Sequence, residues 1–231
     1  MKKEYWIGIV VAALVVVGVV VGVSLAGGGG DDAPSSIADA DAKAVQAQMQ
    51  GVPQSTNTIG DPNAPVEIVE YGDLACPACA QASTTTVPEA IDQIVKPGDA
   101  KMTFRPIAFI SRSSERGALG AEAAGMQDAM WSFVELIYRN QGPESNQDWL
   151  TDDLMAEAAG KLGLDVDAWK AAYAGTQVEE NFLANQSAAQ SDKVTQTPTF
   201  VVKGPRGQKS IVGAVKVSDL QNLINEVGPA T

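Results

Sequence analysis

The sequence predicts an α/β fold: a mixed central sheet flanked by helices, with a helical insertion midway and one apolar segment ahead of the domain. Three observations carry that prediction. Strand-like runs occur early and late, at residues 65–71, 101–105, 199–203 and 210–214. Between the second and third of them, from 114 to 192, the pattern is helical. An uncharged run of 22 residues, Tyr5 to Ala26, stands apart near the N-terminus.

The apolar run comes after Lys2 and Lys3, and no charge occurs between Glu4 and Asp31. As a helix it reaches about 33 Å, enough to cross a hydrocarbon core of about 30 Å. Tyr5 and Trp6 fall where interfacial aromatics belong, and the lysines put the N-terminus in the cytoplasm. Val-Ser-Leu-Ala at 23–26 also suits a signal-peptide processing site, but the run is long for one. Either reading exports the domain. The expected organisation is a cytoplasmic N-terminus (1–4), a transmembrane anchor (5–26), an extracytoplasmic linker (27–54) and a domain (55–228). Gly27–Gly30 and the polar residues after it read as a tether. Residues 37–50 have helical composition with weak periodicity, either a surface helix or part of a stalk.

Within the domain, Val66, Ile68 and Val69 mark the first strand, ended by Gly72-Asp73. A helical stretch from 77 to 95 is interrupted near Pro88. Residues 101–105 form the second strand. In the insertion, Met130, Phe133, Val134, Ile137 and Tyr138 share one helical face, while Trp131, Trp169 and Phe182 are core candidates. Gly204-Pro-Arg-Gly207 joins the last two strands as a hairpin. Val217 to Val227 is a closing helix, with Ser218 as its expected N-cap.

Of the 231 residues, 45% are hydrophobic, so a sizeable core is available once the N-terminal run is set aside. The net charge of −12 argues against a nucleic-acid partner, which needs clustered Lys and Arg. The chain has two cysteines, Cys76 and Cys79, and no histidine. A pair so close is a poor scaffold disulfide, and a Cys/His zinc site needs about four ligands. Redox chemistry is what remains. Cys76 comes after a strand and opens a helix, where free N–H groups and the helix dipole stabilise a thiolate. Pro77 suits the first helical turn. Cys79 lies one turn on, positioned to resolve a mixed disulfide. Glu70, at the end of the strand beneath, is placed to carry the Cys79 proton; the alternative at this level is an ordinary strand glutamate facing solvent. Thr197-Pro198 precedes a strand; a cis bond there would leave backbone free to pair with an extended substrate. Most X–Pro bonds are trans, so the isomer is open at this level.

Glu70, then Cys76-Pro77-Ala78-Cys79, a helical insertion at about 114–192 and a late Thr197-Pro-Thr-Phe200 resemble the DsbA-like branch of the thioredoxin superfamily, of membrane-anchored bacterial type. Met130-Trp-Ser-Phe-Val-Glu-Leu-Ile-Tyr-Arg-Asn-Gln141 and Lys161-Leu-Gly-Leu-Asp-Val-Asp-Ala-Trp169 are similar to stretches of that branch's insertion. The resemblance implies a thioredoxin-like fold, a nucleophile at Cys76, an acid at Glu70 serving Cys79, and a cis-proline at Pro198. It also implies no cofactor beyond the Cys76–Cys79 disulfide. The partners it implies are exported proteins bearing thiols or disulfides and a membrane redox partner of the DsbB or vitamin K epoxide reductase type. Ala78 departs from the strong oxidases, which carry histidine there. The leading expectation is an exported dithiol oxidase. A reductase or isomerase of the same fold, and a redox-latched protein-binding module, are the alternatives.

Overall fold

The computed structural model describes residues 33–229. The expected anchor at 5–26 lies outside them; among the described residues, no helix is long and apolar enough to cross a membrane.

One helix precedes the sheet: α1 (Asp39–Met49). It buries Ala42, Val45 and Met49, a narrow stripe among polar residues, which explains the weak periodicity. It packs on the insertion, and Ile37 ahead of it is buried in the same core. The stretch expected as linker up to residue 54 is therefore domain from about residue 37 onward. The lead-in to the first long strand also carries a short hairpin that no pattern in the sequence signals, β1 (Gln54–Ser55) and β2 (Thr58–Ile59).

The four longer strands are β3 (Glu67–Gly72), β4 (Lys101–Pro106), β5 (Thr199–Gly204) and β6 (Gly207–Val212). The sheet order is β1-β2-β4-β3-β5-β6. It is mixed: β3 and β4 run parallel, and every other neighbouring pair is antiparallel. β3 is central and buried from Ile68 on, which suits its β-branched residues. The hairpin between β5 and β6 turns on Pro205 and Arg206, with Gly207 at φ 121°, open to glycine at no steric cost.

Between β3 and β4 the helical stretch is broken in two, α2 (Pro77–Thr84) and α3 (Thr86–Ala90), the latter running into a π-helical turn at Ile91–Val95. The break falls at Thr85, φ −121° and ψ −68°, just ahead of Pro88. Pro88 has no N–H to give the carbonyl four residues back and its ring crowds that carbonyl, so the interruption precedes it.

The insertion holds α4 (Arg112–Gly125), α5 (Met130–Arg139), α6 (Asp152–Lys161), α7 (Val166–Tyr173) and α8 (Thr176–Ser191). In α5 every residue from Met130 to Tyr138 is buried, rather than one face. It is enclosed by α1, α2, α4 and α6, so its polar side chains are inside too. Trp131, Trp169 and Phe182 are core, as expected. The Trp131 indole donates to the Asn57 carbonyl at 2.9 Å and Trp169 to the Gly120 carbonyl at 3.0 Å. The closing helix is α9 (Val217–Val227). Its N-cap is Lys216, not Ser218: the Lys216 N–H donates to the Asp219 carboxylate at 3.2 Å, a local pairing that displaces the expected cap.

Candidate active site

The chain leaves β3 at Gly72 and turns through Asp73, Leu74 and Ala75 into α2. Gly72 is required by close approach: a Cβ there would lie 2.7 Å from the Phe104 ring and from the Tyr138 hydroxyl. The turn is held by the buried Asp73 carboxylate, which accepts from the N–H groups of Ala75, Phe109 and Ile110 at 2.9, 3.0 and 3.3 Å. The Tyr138 hydroxyl donates to the Asp73 carbonyl at 3.2 Å. Gln141, just past α5, donates from its amide to the Leu74 and Cys76 carbonyls at 2.8 and 3.2 Å. The insertion thus clamps the turn that presents the cysteines.

Cys76 is the N-cap of α2 and Pro77 its first residue. The Cys79 N–H donates to Cys76 Sγ at 3.4 Å. The Cys76 thiol also faces the Thr197 carbonyl at 3.4 Å, which brings the late loop against the start of α2. The Thr197–Pro198 bond is cis. Both cysteines are free thiols. Cys76 is 5% exposed and Cys79 is not exposed at all, so an attacking group reaches Cys76 first.

The two thiols are driven apart in acidity. Cys76 is lowered to about 6, chiefly by the hydrogen bond from the Cys79 thiol. Burial opposes that effect, while Thr197 and the N–H groups of Cys79 and Ala78 add to it. Cys79 is raised well above the ordinary thiol range, first by burial and then by its hydrogen bond to Cys76 and the Cys76 charge. At neutral pH the pair therefore holds a thiolate on Cys76 and a proton on Cys79.

Glu70 points to the same side of the sheet. Its strand neighbours in register are Phe104 and Phe200. It is 1% exposed, and its Oε2 has no hydrogen-bond partner among the described residues. Burial first, then the charges of Glu135 and Cys76, hold its carboxyl well above the usual range. Its charge is felt at Cys79. The protonated acid so placed can give a proton to a leaving thiolate, and the carboxylate it then becomes can take one back from an attacking thiol.

All the residues expected at the site from the sequence, Glu70, Cys76, Pro77, Ala78, Cys79, Thr197 and Pro198, thus gather around one helix start. Asp73, Tyr138, Gln141 and Glu135 escape sequence reasoning. Asp73 reads as a strand terminator, Glu135 and Tyr138 belong to an apolar helical stretch, and Gln141 follows its polar end. The available signal is Glu135 itself, an acid inside a run that is otherwise nearly all apolar.

Comparison with known proteins gives consistent results. The family described as Thioredoxin matches residues 53–226. A probable disulfide bond formation protein D of Bacillus cereus is 30% identical over 151 residues, covering 64% of this chain and 69% of the relative. Disulfide bond formation protein D of Bacillus subtilis is 28% identical over 174 residues, covering 70% and 72%. The crystal structure of oxidised BdbD from Bacillus subtilis superimposes with a TM-score of 0.65 at 24% identity, over 77% of this chain and 93% of that one, a likeness of fold.

Proposed function

The chain belongs to the thioredoxin family as a DsbA-like thiol–disulfide oxidoreductase, and from that premise we propose that it is a dithiol oxidase acting on exported proteins outside the cytoplasm. The observation that carries the direction is the split between the two thiols. A stabilised Cys76 thiolate favours the reduced pair, and so makes the disulfide a readier acceptor of electrons.

In the proposed cycle a substrate thiolate attacks Cys76 Sγ of the Cys76–Cys79 disulfide. The S–S bond breaks toward Cys79, whose sulfur takes the electron pair and a proton from Glu70. A second substrate thiolate then attacks the substrate sulfur and expels Cys76 as thiolate, a good leaving group at its lowered pKa. The substrate dithiol has become a disulfide, and the enzyme disulfide a dithiol. Pro77 and Ala78 shape the helix start, and Thr197 and Pro198 line the substrate side of Cys76. No cofactor beyond the cysteine pair enters. A membrane partner of the DsbB or vitamin K epoxide reductase type takes the two electrons back, and the apolar run at 5–26 tethers the enzyme beside it.

Cys79→Ser tests this reading in cells. Without the resolving thiol, Cys76 stays joined to whatever it attacks, so disulfide-linked complexes with exported proteins should accumulate and disappear on reduction. Their absence would favour the redox-latched binding module instead.

A further inference from the structure

Two buried acids lie near each other in this fold, and the cycle above uses one. Glu70 lies between Phe104 and Phe200 on the sheet. Over that register α5 presents Trp131, Glu135 and Tyr138 at i, i+4 and i+7, one stripe of the helix. Both aromatics of the stripe pack edge-on against Phe104, with ring centroids at 5.6 and 6.4 Å. Glu135 lies between these two aromatics along the helix, and Phe104, which they pack against, is a register neighbour of Glu70. The charge of Glu135 acts on Glu70 more strongly than that of Cys76.

Both acids are 1% exposed, but their surroundings differ. Glu135 Oε2 accepts from the Gln48 amide at 3.4 Å, and the Gln48 carbonyl oxygen accepts from the Arg139 guanidinium at 3.0 Å. Gln48 and Arg139 are half-buried, at the seam between α1 and α5. The acids therefore lead from the buried cysteine toward an edge that reaches solvent. Resting on the proton role of Glu70, we infer that Glu135 is the second carrier of that proton, passing it between Glu70 and the solvent edge at Gln48 and Arg139.

The transfers balance without any further reactant than water. Glu70 and Glu135 act on each other through charge rather than a shared hydrogen bond, so when Glu70 has protonated the Cys79 thiolate, its carboxylate recovers a proton from the Glu135 carboxyl by way of water. Glu135, briefly a carboxylate beside the Arg139 guanidinium, takes one from water at the seam. Reoxidation runs the same route outward. Glu135 acts through Glu70 and not on the cysteines. Burial raises Glu135 to about 8, against the opposing pulls of Gln48 and Arg139, so it holds a proton at neutral pH and gives it up within the range of the reaction. The titratable and charged groups around the acid pair are Cys76 and Cys79 from α2 and Tyr138 and Arg139 from α5; α1 contributes the neutral Gln48.

The test uses the reduced full-length chain and oxidised glutathione. Cys76 forms a mixed disulfide with glutathione, and Cys79 then resolves it. Glu135→Gln keeps shape and neutrality. It should slow resolution by about tenfold and flatten its pH dependence near neutrality, leaving the first attack by Cys76 unchanged. Glu70→Gln should slow resolution more, and adding Glu135→Gln to it should change nothing further. Gln48→Leu, which closes the outlet from another helix, should slow resolution in the same way. An unchanged pH profile in Glu135→Gln, or an additive double variant, overturns the relay while leaving Glu70 its role. Unchanged resolution in Glu70→Gln overturns both.

Discussion

Cys76→Ser should abolish disulfide transfer to a reduced dithiol peptide, not merely slow it. The step passes through a sulfur–sulfur bond at this position, and an alkoxide or hydroxyl cannot form one. Cys79 does not replace it: it is wholly buried and holds its proton at neutral pH. In the unaltered chain, the rate at which reduced Cys76 attacks a model disulfide should track its thiolate fraction. The lowered pKa sets the sign. Above about 6 the thiolate predominates and the rate is nearly flat; below it the rate falls by about tenfold per pH unit. A chain with serine at 76 that still oxidises dithiols, or a rate that climbs through pH 8 to 9 as for an ordinary thiol, would remove Cys76 from its role.

Glu70→Gln should slow the step in which Cys79 attacks or leaves by about a hundredfold, the lower end of what a positioned acid–base contributes. The residue is costly where it stands. The unfolded chain releases this proton above about pH 4.3, whereas the folded chain keeps it well beyond that. Stability linked to Glu70 is therefore present at low pH and declines as pH rises. An acid between two phenylalanines, with one oxygen that finds no hydrogen-bond partner among the described residues, also bears a desolvation cost. Glu70→Leu should consequently raise the stability of the reduced chain to urea by about 1–3 kcal/mol at neutral pH while impairing turnover. A variant both less stable and equally active would mean that Glu70 is an ordinary structural residue.

Local signals make much of this site readable in the sequence. The cysteine spacing, Pro77 after the first cysteine, the β-branched run before them and Gly204-Pro-Arg-Gly207 each act over a few residues, and the structure has the elements they call for. The rest depends on contacts between distant segments. Helix α1 shows a stripe of only three buried residues, and it is its docking on α5 that draws it into the domain. Periodicity suggests a single apolar face for α5 because it cannot reveal that a helix is enclosed on all sides. Asp73 and Gln141 matter through backbone groups they reach across a turn or across 65 residues of chain. Ser218 loses the N-cap to Lys216 because Asp219 offers a charged acceptor one turn in.

The direction of electron flow rests on the energy difference between the thiols. A nucleophile titrating at about 6 is largely ionised at pH 7, which stabilises the reduced state by about 1.4 kcal/mol relative to a thiol of ordinary pKa. For a two-electron couple that is about 30 mV. Thioredoxin lies near −270 mV and the strong oxidase DsbA near −120 mV, with a thiolate far more acidic than this one. The most direct measurement is the reduction potential of the Cys76–Cys79 couple, found by equilibrating the full chain with glutathione buffers. An oxidase with Ala78 between its cysteines should fall between those two values, clearly above thioredoxin; a potential at or below about −270 mV would make the chain a reductase and contradict the account.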